Sequence, residues 1–212
     1  MGLNLSHQGL PEGCDKSDLL RLLDGLGKQG LSVSATAFKL LRYYVWRSRK
    51  EDYHAGRICG LWEKVCDVAM HLDLSPRAIN GAERELEAAG YVQRTTGGNG
   101  ARYGRRQGGA IVSMAGVSLA PLIGCYDDLS ASLEARMLHR QAMEICRTEI
   151  HHLRRLIRDH GDTDLCEQSD AVARHGRVSR IGRQEHLEEI RDALKAILAL
   201  IGGMSGALET SD

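Results

Sequence analysis

Three side chains able to read the edges of base pairs recur at helical spacing in the middle of the chain. Arg77, Asn80 and Arg84 stand at i, i+3 and i+7, which puts them on one face if the segment is a helix. Arginine offers paired donors to O6 and N7 of guanine, and asparagine matches N6 and N7 of adenine, so these types in this pattern point to a DNA major groove. Gly81 falls on the same face. A second set follows at Arg94, Arg102, Arg105 and Arg106, with Tyr103 among them. Cations in such a run suit phosphates or the neighbouring minor groove.

The elements that must hold these groups are readable from local signals. Trp62 to about His71 reads as a helix, with Trp62, Val65, Ala69 and Leu72 in one buried stripe. A turn at Asp73 and Leu74 follows. Ser75 stands where an N-cap belongs and Pro76 at the first helical position, where its missing N–H costs nothing. Ile79, Ala82, Leu86 and Ala89 make the inner face of this second helix, and Gly90 suits a left-handed stop. Tyr91 to Arg94 then alternates as a strand, Thr95 to Ala101 is a glycine-rich turn, and Arg102 to Arg106 returns, which together predict a hairpin wing. Upstream, Ser34 caps a helix from Ala35 to about Ser48, with Phe38, Leu41, Tyr44 and Val45 in its stripe. Its basic residues Lys39, Arg42, Arg47 and Arg49 are placed for backbone contacts or for solvent. Arg57 to Cys59 would be the first strand. The order helix, strand, helix, helix, strand, strand predicts a mainly α fold: a winged helix-turn-helix with a small β-wing, followed by long C-terminal helices. The competing reading is a helical pair that binds protein and carries a solvated basic hairpin.

A net charge of zero over 212 residues hides an uneven distribution. Leu31 to Ala110 holds 13 basic and 8 acidic residues, a surplus of five, so the candidate binding region is basic by itself. That surplus implies few phosphate contacts per chain. Six cysteines lie without paired-motif spacing, and no apolar run is long enough for a secretory signal or a membrane span, which predicts a cytoplasmic protein with reduced thiols. Cys59, Cys66 and His71 come nearest to a metal constellation but match no familiar zinc spacing, and no metal or cofactor is expected. Gly25 to Gly30 is a literal GxGxxG, yet a helix and not a strand precedes it, so it reads as a helix stop and linker. No catalytic constellation is visible, and the adjacent His151 and His152 diverge on a helix. The expectation is not an enzyme.

Around the winged segment, Met1 to Asp15 reads as a flexible arm, and Ser17 could cap a short helix carrying Leu19, Leu20, Leu22, Leu23 and Leu26. Ala110 to Met114 could extend the wing sheet. Ser118 and Pro121 open a long helix, or two in near-continuity, with Leu122, Tyr126, Leu129, Leu133 and Met137 and then Met143, Cys146, Ile150, Leu153 and Ile157 at steps of four and three. A polar gap near Arg140 would mark a break. His160 to Arg183 reads as a mobile linker, and Leu187, Ile190, Leu194, Ile197 and Ile201 form a heptad seam on a last helix ended by Gly202 and Gly203. That seam serves an intramolecular hairpin or a homodimer equally well. The expected division is an arm with a short helix over 1–30, the winged domain over 31–115, a helical extension over 116–160, the linker over 161–183 and the heptad helix over 184–203.

The succession of Leu31-Ser32-Val33-Ser34-Ala35, the Ser75-Pro76-Arg77 helix start, Asn99-Gly100-Ala101-Arg102-Tyr103-Gly104-Arg105-Arg106 and Val117-Ser118-Leu119-Ala120-Pro121-Leu122 resembles the N-terminal domain of RepC. RepC proteins are the replication initiators of repABC-type plasmids in alphaproteobacteria. The resemblance covers about Leu31 to Ile157, and the order of the motifs carries it more than any single one. It implies a winged-helix protein that binds double-stranded DNA at a plasmid origin in company with host replication proteins. Ser75 to Arg77 and the segment from Asn99 to Arg106 would be origin contacts. Members of that family are about twice this long, so the resemblance implies either a portion of an initiator or a short relative. The latter would serve as a transcriptional or copy-number regulator that binds an operator on a plasmid or integrated element.

Overall fold

A computed structural model of the chain describes residues 5–98, 100–172 and 178–208, with side chains as far as residue 200. It is mainly helical with short antiparallel strands and divides into two compact units, Met1–Glu134 and Ala135–Asp212. Among the described residues no helix is long and apolar enough to cross a membrane.

The first unit opens with an arm that is docked, against the expectation of a loose one. Ser6 bridges Ile58, the His7 N–H donates to the Arg57 carbonyl, and the buried His7 ring meets the Asp52 carbonyl at 2.9 Å. Helix α1 (Lys16–Gly30) is capped by Asp15, not by Ser17. The Asp15 carboxylate accepts from the N–H groups of Ser17 and Asp18, and Asp18 accepts from the Asp15 N–H in return. Leu19, Leu22, Leu23 and Leu26 are buried, and Gly27, at φ 61°, kinks the helix. The GxGxxG run is therefore the end of a helix.

Helix α2 (Ala35–Arg47) starts where Ser34 predicts, its hydroxyl accepting from the Ala37 N–H while it donates to Glu85 at 2.7 Å. A 3-10 turn at Lys50–Tyr53 brings Asp52 into the interior. Helix α3 (Val65–Leu72) begins later than the stripe suggests. Lys64 is its N-cap, and Trp62 precedes it to lie against the wing. α3 stops at Asp73, whose φ and ψ of 53° place it in the left-handed region that Asp tolerates better than most residues. Helix α4 (Pro76–Ala88) follows at once, with the Ser75 hydroxyl accepting from the Ala78 N–H. α2 and α3 both pack on α4, which buries Ile79, Ala82 and Leu86. Each fully buried aliphatic side chain contributes about 1.5–3 kcal/mol. Ala89 is exposed at the C-cap, and Gly90 takes the expected positive φ of 79°.

The sheet differs in register from the sequence reading. Strands β1 (Gly60–Leu61) and β2 (Gln93–Arg94) flank β5 (Val117–Ser118), both antiparallel to it, so the first strand falls after residues 57–59. β3 (Tyr103–Gln107) pairs with β4 (Ala110–Ala115), not with residues 91–94. The reason lies in the turns. Gly108 and Gly109 both have positive φ, at 57° and 81°, as a two-residue hairpin requires. The earlier glycine-rich run instead closes on itself through Gly97 N–H to the Ala101 carbonyl and Gly100 N–H to the Gly97 carbonyl. The wing is thus a loop and a second hairpin inserted between β2 and β5.

Ser118 lies in β5, and its hydroxyl accepts from the Ala120 N–H at the start of α5 (Ala120–Gly124). After a break at Cys125, α6 (Tyr126–His160) runs unbroken through Arg140. Where the polar gap suggests an interruption, residues 134–141, including Met137 of the expected stripe, are exposed.

In the second unit, Met143, Cys146, Ile150, Leu153 and Ile157 of α6 share one core with Leu187, Ile190, Leu194 and Ile197 of α8 (Gln184–Leu208). The heptad seam is therefore filled within the chain. The presumed linker contains α7 (Thr163–Val172) and a 3-10 turn at Val178–Arg180, whose Leu165 and Val178 complete that core. Residues 173–177 of that stretch lie outside the described residues, as does the Ile201 side chain. α8 continues through Gly202 and Gly203, which the sequence reading takes as its end.

Candidate nucleic-acid interface

The outward face of α4 is built as its periodicity requires. Arg77, Gly81 and Arg84 are exposed and Asn80 is half-buried, while the core holds the opposite side. No hydrogen bond or ion pair engages the side chains of Arg77, Asn80 or Arg84 among the described residues. Ser75 is exposed, but its hydroxyl is used as the cap. Asn80 opens into a cavity of about 400 Å³ between α4 and the wing loop, whose walls include Glu83, Glu87, Arg94, Thr96 and Arg102.

Three of the four wing arginines are occupied, and here the sequence expectation of a free basic hairpin is corrected. Arg102 is clamped on Glu83 by two bonds of 2.7 and 2.6 Å and donates to the Glu63 carbonyl. Glu83 is 1% exposed and also accepts from the Tyr44 hydroxyl. Burial works against the charge of Arg102, but the hydrogen bonds and charge of Glu83 outweigh it and hold the guanidinium above its usual value. Burial first, and then the Glu83 charge, push the Tyr44 hydroxyl far up. Arg106 pairs with the fully buried Asp52 at 2.5 and 2.7 Å and lies over the Trp62 ring at 5.6 Å. Its pKa is raised chiefly by the Asp52 hydrogen bond. Arg94 pairs with Glu87 at 2.6 Å. Burial pushes Glu87 upward, but the Arg94 N–H and guanidinium prevail and hold its carboxyl below the ordinary value.

On β3 exposure alternates, so Tyr103 and Arg105 face outward while Arg102 and Arg106 face inward. Arg105 is exposed with no ion-pair partner among the described residues, and Tyr103 is 52% exposed. Asn99 lies outside the described residues. Glu83 and Asp52, which decide the fate of two arginines, are absent from the sequence reading. One signal for Glu83 is present: it stands four residues after Ile79 and three before Leu86, on the buried stripe. Cys59 is buried and Cys66 exposed.

A helix-turn-helix joined to a β-wing, with the second helix presenting its polar face outward, makes this a winged helix-turn-helix protein. The chain belongs to the family of the replication protein C N-terminal domain, whose model matches residues 3–164, and thereby to the plasmid replication initiators. Comparison with curated proteins and with solved structures returns no match.

Proposed function

We propose that this chain binds double-stranded DNA sequence-specifically at a plasmid replication origin, with α4 in the major groove. The observation that carries the reading is the set Arg77, Asn80 and Arg84: three groups suited to base edges, on the outward face of α4, with no side-chain hydrogen-bond or ion-pair partner among the described residues. Arg105 and Tyr103 on the outward side of β3 add a phosphate contact. Arg102 and Arg106 serve the fold, and the function is binding without catalysis.

Mobility shifts on cognate origin fragments and on random duplex test this. Arg77→Ala and Asn80→Ala lose about 1–3 kcal/mol, or about 5- to 150-fold, on the cognate site and much less on random DNA. Arg105→Ala weakens both alike. Equal losses on both DNAs for every variant would remove base reading, and protection confined to a promoter in footprints of the parent replicon would make the protein a regulator.

A further inference from the structure

Both tryptophans of the chain stand at the end of α2, in two adjoining hollows that the α4 face does not use. One, of about 310 Å³, is lined by Leu20, Lys39, Arg42, Tyr43, Trp46 and Leu72. The other, of about 250 Å³, is lined by Arg47, Arg49, Leu61, Trp62, Glu63 and Arg106 among others. Trp46 and Arg47 are consecutive, so the last turn of α2 sends an indole to one hollow and a guanidinium to the other. Each hollow therefore pairs one tryptophan with arginine.

The aromatic rings are held, not loose. Tyr43 lies 6.2 Å from the Trp46 ring and 6.0 Å from His71, and its hydroxyl donates to Glu63 at 2.9 Å. Trp62 is fixed by Arg106 over its ring and by Gly104, where any side chain would strike it. Yet Trp46 is 64% exposed, leaving open an aromatic surface of the kind that normally drives burial. Of the cations nearby, Arg42 pairs with Asp24 and Lys39 donates to the Leu72 carbonyl, whereas those at the C-terminal end of α2 are open. Arg47 is 56% exposed, with a 3.8 Å pair to Glu63 and the Tyr43 hydroxyl beside it, and Arg49 and Lys50 are exposed without an ion-pair partner among the described residues. Glu63, the acid between the hollows, is only 17% exposed.

We infer that the end of α2 is a second nucleic-acid site, which takes single-stranded DNA. Its bases stack on Trp46 and in the Trp62 hollow while Arg47 and Arg49 meet the phosphates. An exposed indole offers a face, and only an unpaired base has a free face to return; a duplex presents edges and phosphates. The repeat of aromatic and cation in neighbouring hollows matches the repeat of base and phosphate along a strand, which an acidic peptide lacks. This goes beyond duplex reading and does not depend on it, although strand opening in replication would supply the ligand.

Titration with a fluorescent oligo(dT) and with a duplex, circular dichroism serving as the check on folding, tests the inference. In Trp62→Phe, Trp46 is the sole tryptophan, and its emission is quenched to saturation by unlabelled oligo(dT). Trp46→Ala weakens oligo(dT) binding by about 5- to 150-fold, the loss expected for one stacked base, and leaves duplex binding unchanged. Arg49→Ala lowers the salt slope for oligo(dT) by about 0.7. Unquenched Trp46 emission, or oligo(dT) binding indifferent to Trp46→Ala, would overturn the inference. Equal quenching by a polyglutamate peptide would also overturn it, in favour of an acidic protein partner. Loss of duplex binding in Arg77→Ala bears only on α4, so the two readings fail separately.

Discussion

Replacing Glu83 by Gln is the sharpest test of whether the wing is clamped from inside. The carboxylate is 1% exposed, and its partner Arg102 retains only 15% exposure of its side chain. In Glu83→Gln the shape stays but the charge goes, so Arg102 is left largely buried with a single neutral acceptor where two charged oxygens stood. Breaking such a pair by removing one partner costs about 3–5 kcal/mol, because the remaining charge is neither paired nor hydrated. With a urea m-value of about 2 kcal/mol/M, the midpoint falls by about 1.5–2.5 M. Arg102→Met strands the opposite charge and loses a similar amount. The double variant Glu83→Leu/Arg102→Met removes both charges and recovers most of the loss, since an apolar replacement of a buried pair is often neutral or better. Urea unfolding of the wild type and these three variants, read by circular dichroism, gives both the losses and the recovery. Losses below about 1 kcal/mol would show a solvent-screened pair and refute the clamp. If Arg102→Met weakened duplex binding at unchanged stability, Arg102 would be a phosphate contact after all.

Three further outcomes follow from the same geometry. Gly9 N–H donates to His7 Nδ1, which fixes the proton on Nε2 facing the Asp52 carbonyl, and burial holds the imidazole below its ordinary 6.5. The unfolded arm then binds a proton more readily than the docked one, so docking is complete above about pH 6.5 and weakens as pH falls below it. Proteolysis within residues 5–13 rises between pH 7.5 and 5, and a flat profile sinks the account. Gly104→Ala would set a methyl 2.1 Å from the Trp62 ring; overpacking of this kind costs about 1–3 kcal/mol, and an unchanged urea midpoint with unshifted tryptophan emission would contradict it. Ile150→Ala empties a fully buried position in the second core and costs about 2–5 kcal/mol, seen as faster amide exchange in α8. Because that core is filled from within one chain, the loss is the same at all protein concentrations; a loss that grows on dilution would mean the seam joins two copies.

What the sequence discloses here is what is decided locally. Ser34, Ser75, Pro76 and Gly90 act on their own turn of backbone, so the bounds of α2 and α4 can be read from them, and the 3.6-residue period sorts Arg77 and Arg84 from Ile79 and Leu86. β-pairing is decided at a distance. Nothing within residues 91–106 says that β3 prefers β4, because the deciding turn is Gly108-Gly109, outside that window. α1 starts two residues early for a similar reason: Asp15 and Ser17 are both good caps, and only the answering carboxylate of Asp18 selects between them. α7 is invisible because its buried face is only Leu165 and Ser169, too few for a period to register. Glu83 is hidden by its type, as a carboxylate is read as solvated until Arg102 and Tyr44 are seen to converge on it.

The same parity sets how much of the positive charge is available to a polyanion. On a strand, neighbouring side chains leave on opposite sides, so Arg105 is open only because Arg102 and Arg106 are turned inward onto Glu83 and Asp52. A count of wing arginines from the sequence therefore overstates the electrostatic footprint. With Arg94 held by Glu87, the cations of α4 and β3 without an ion-pair partner among the described residues are Arg77, Arg84 and Arg105. Each neutralised phosphate contributes about −0.9 to the slope of log K against log salt on duplex DNA, so these three together contribute a slope no steeper than about −3. A measured slope of about −5 or steeper would mean that the inward pairs open on binding, and that the arginines exchange Glu83, Glu87 and Asp52 for backbone phosphates.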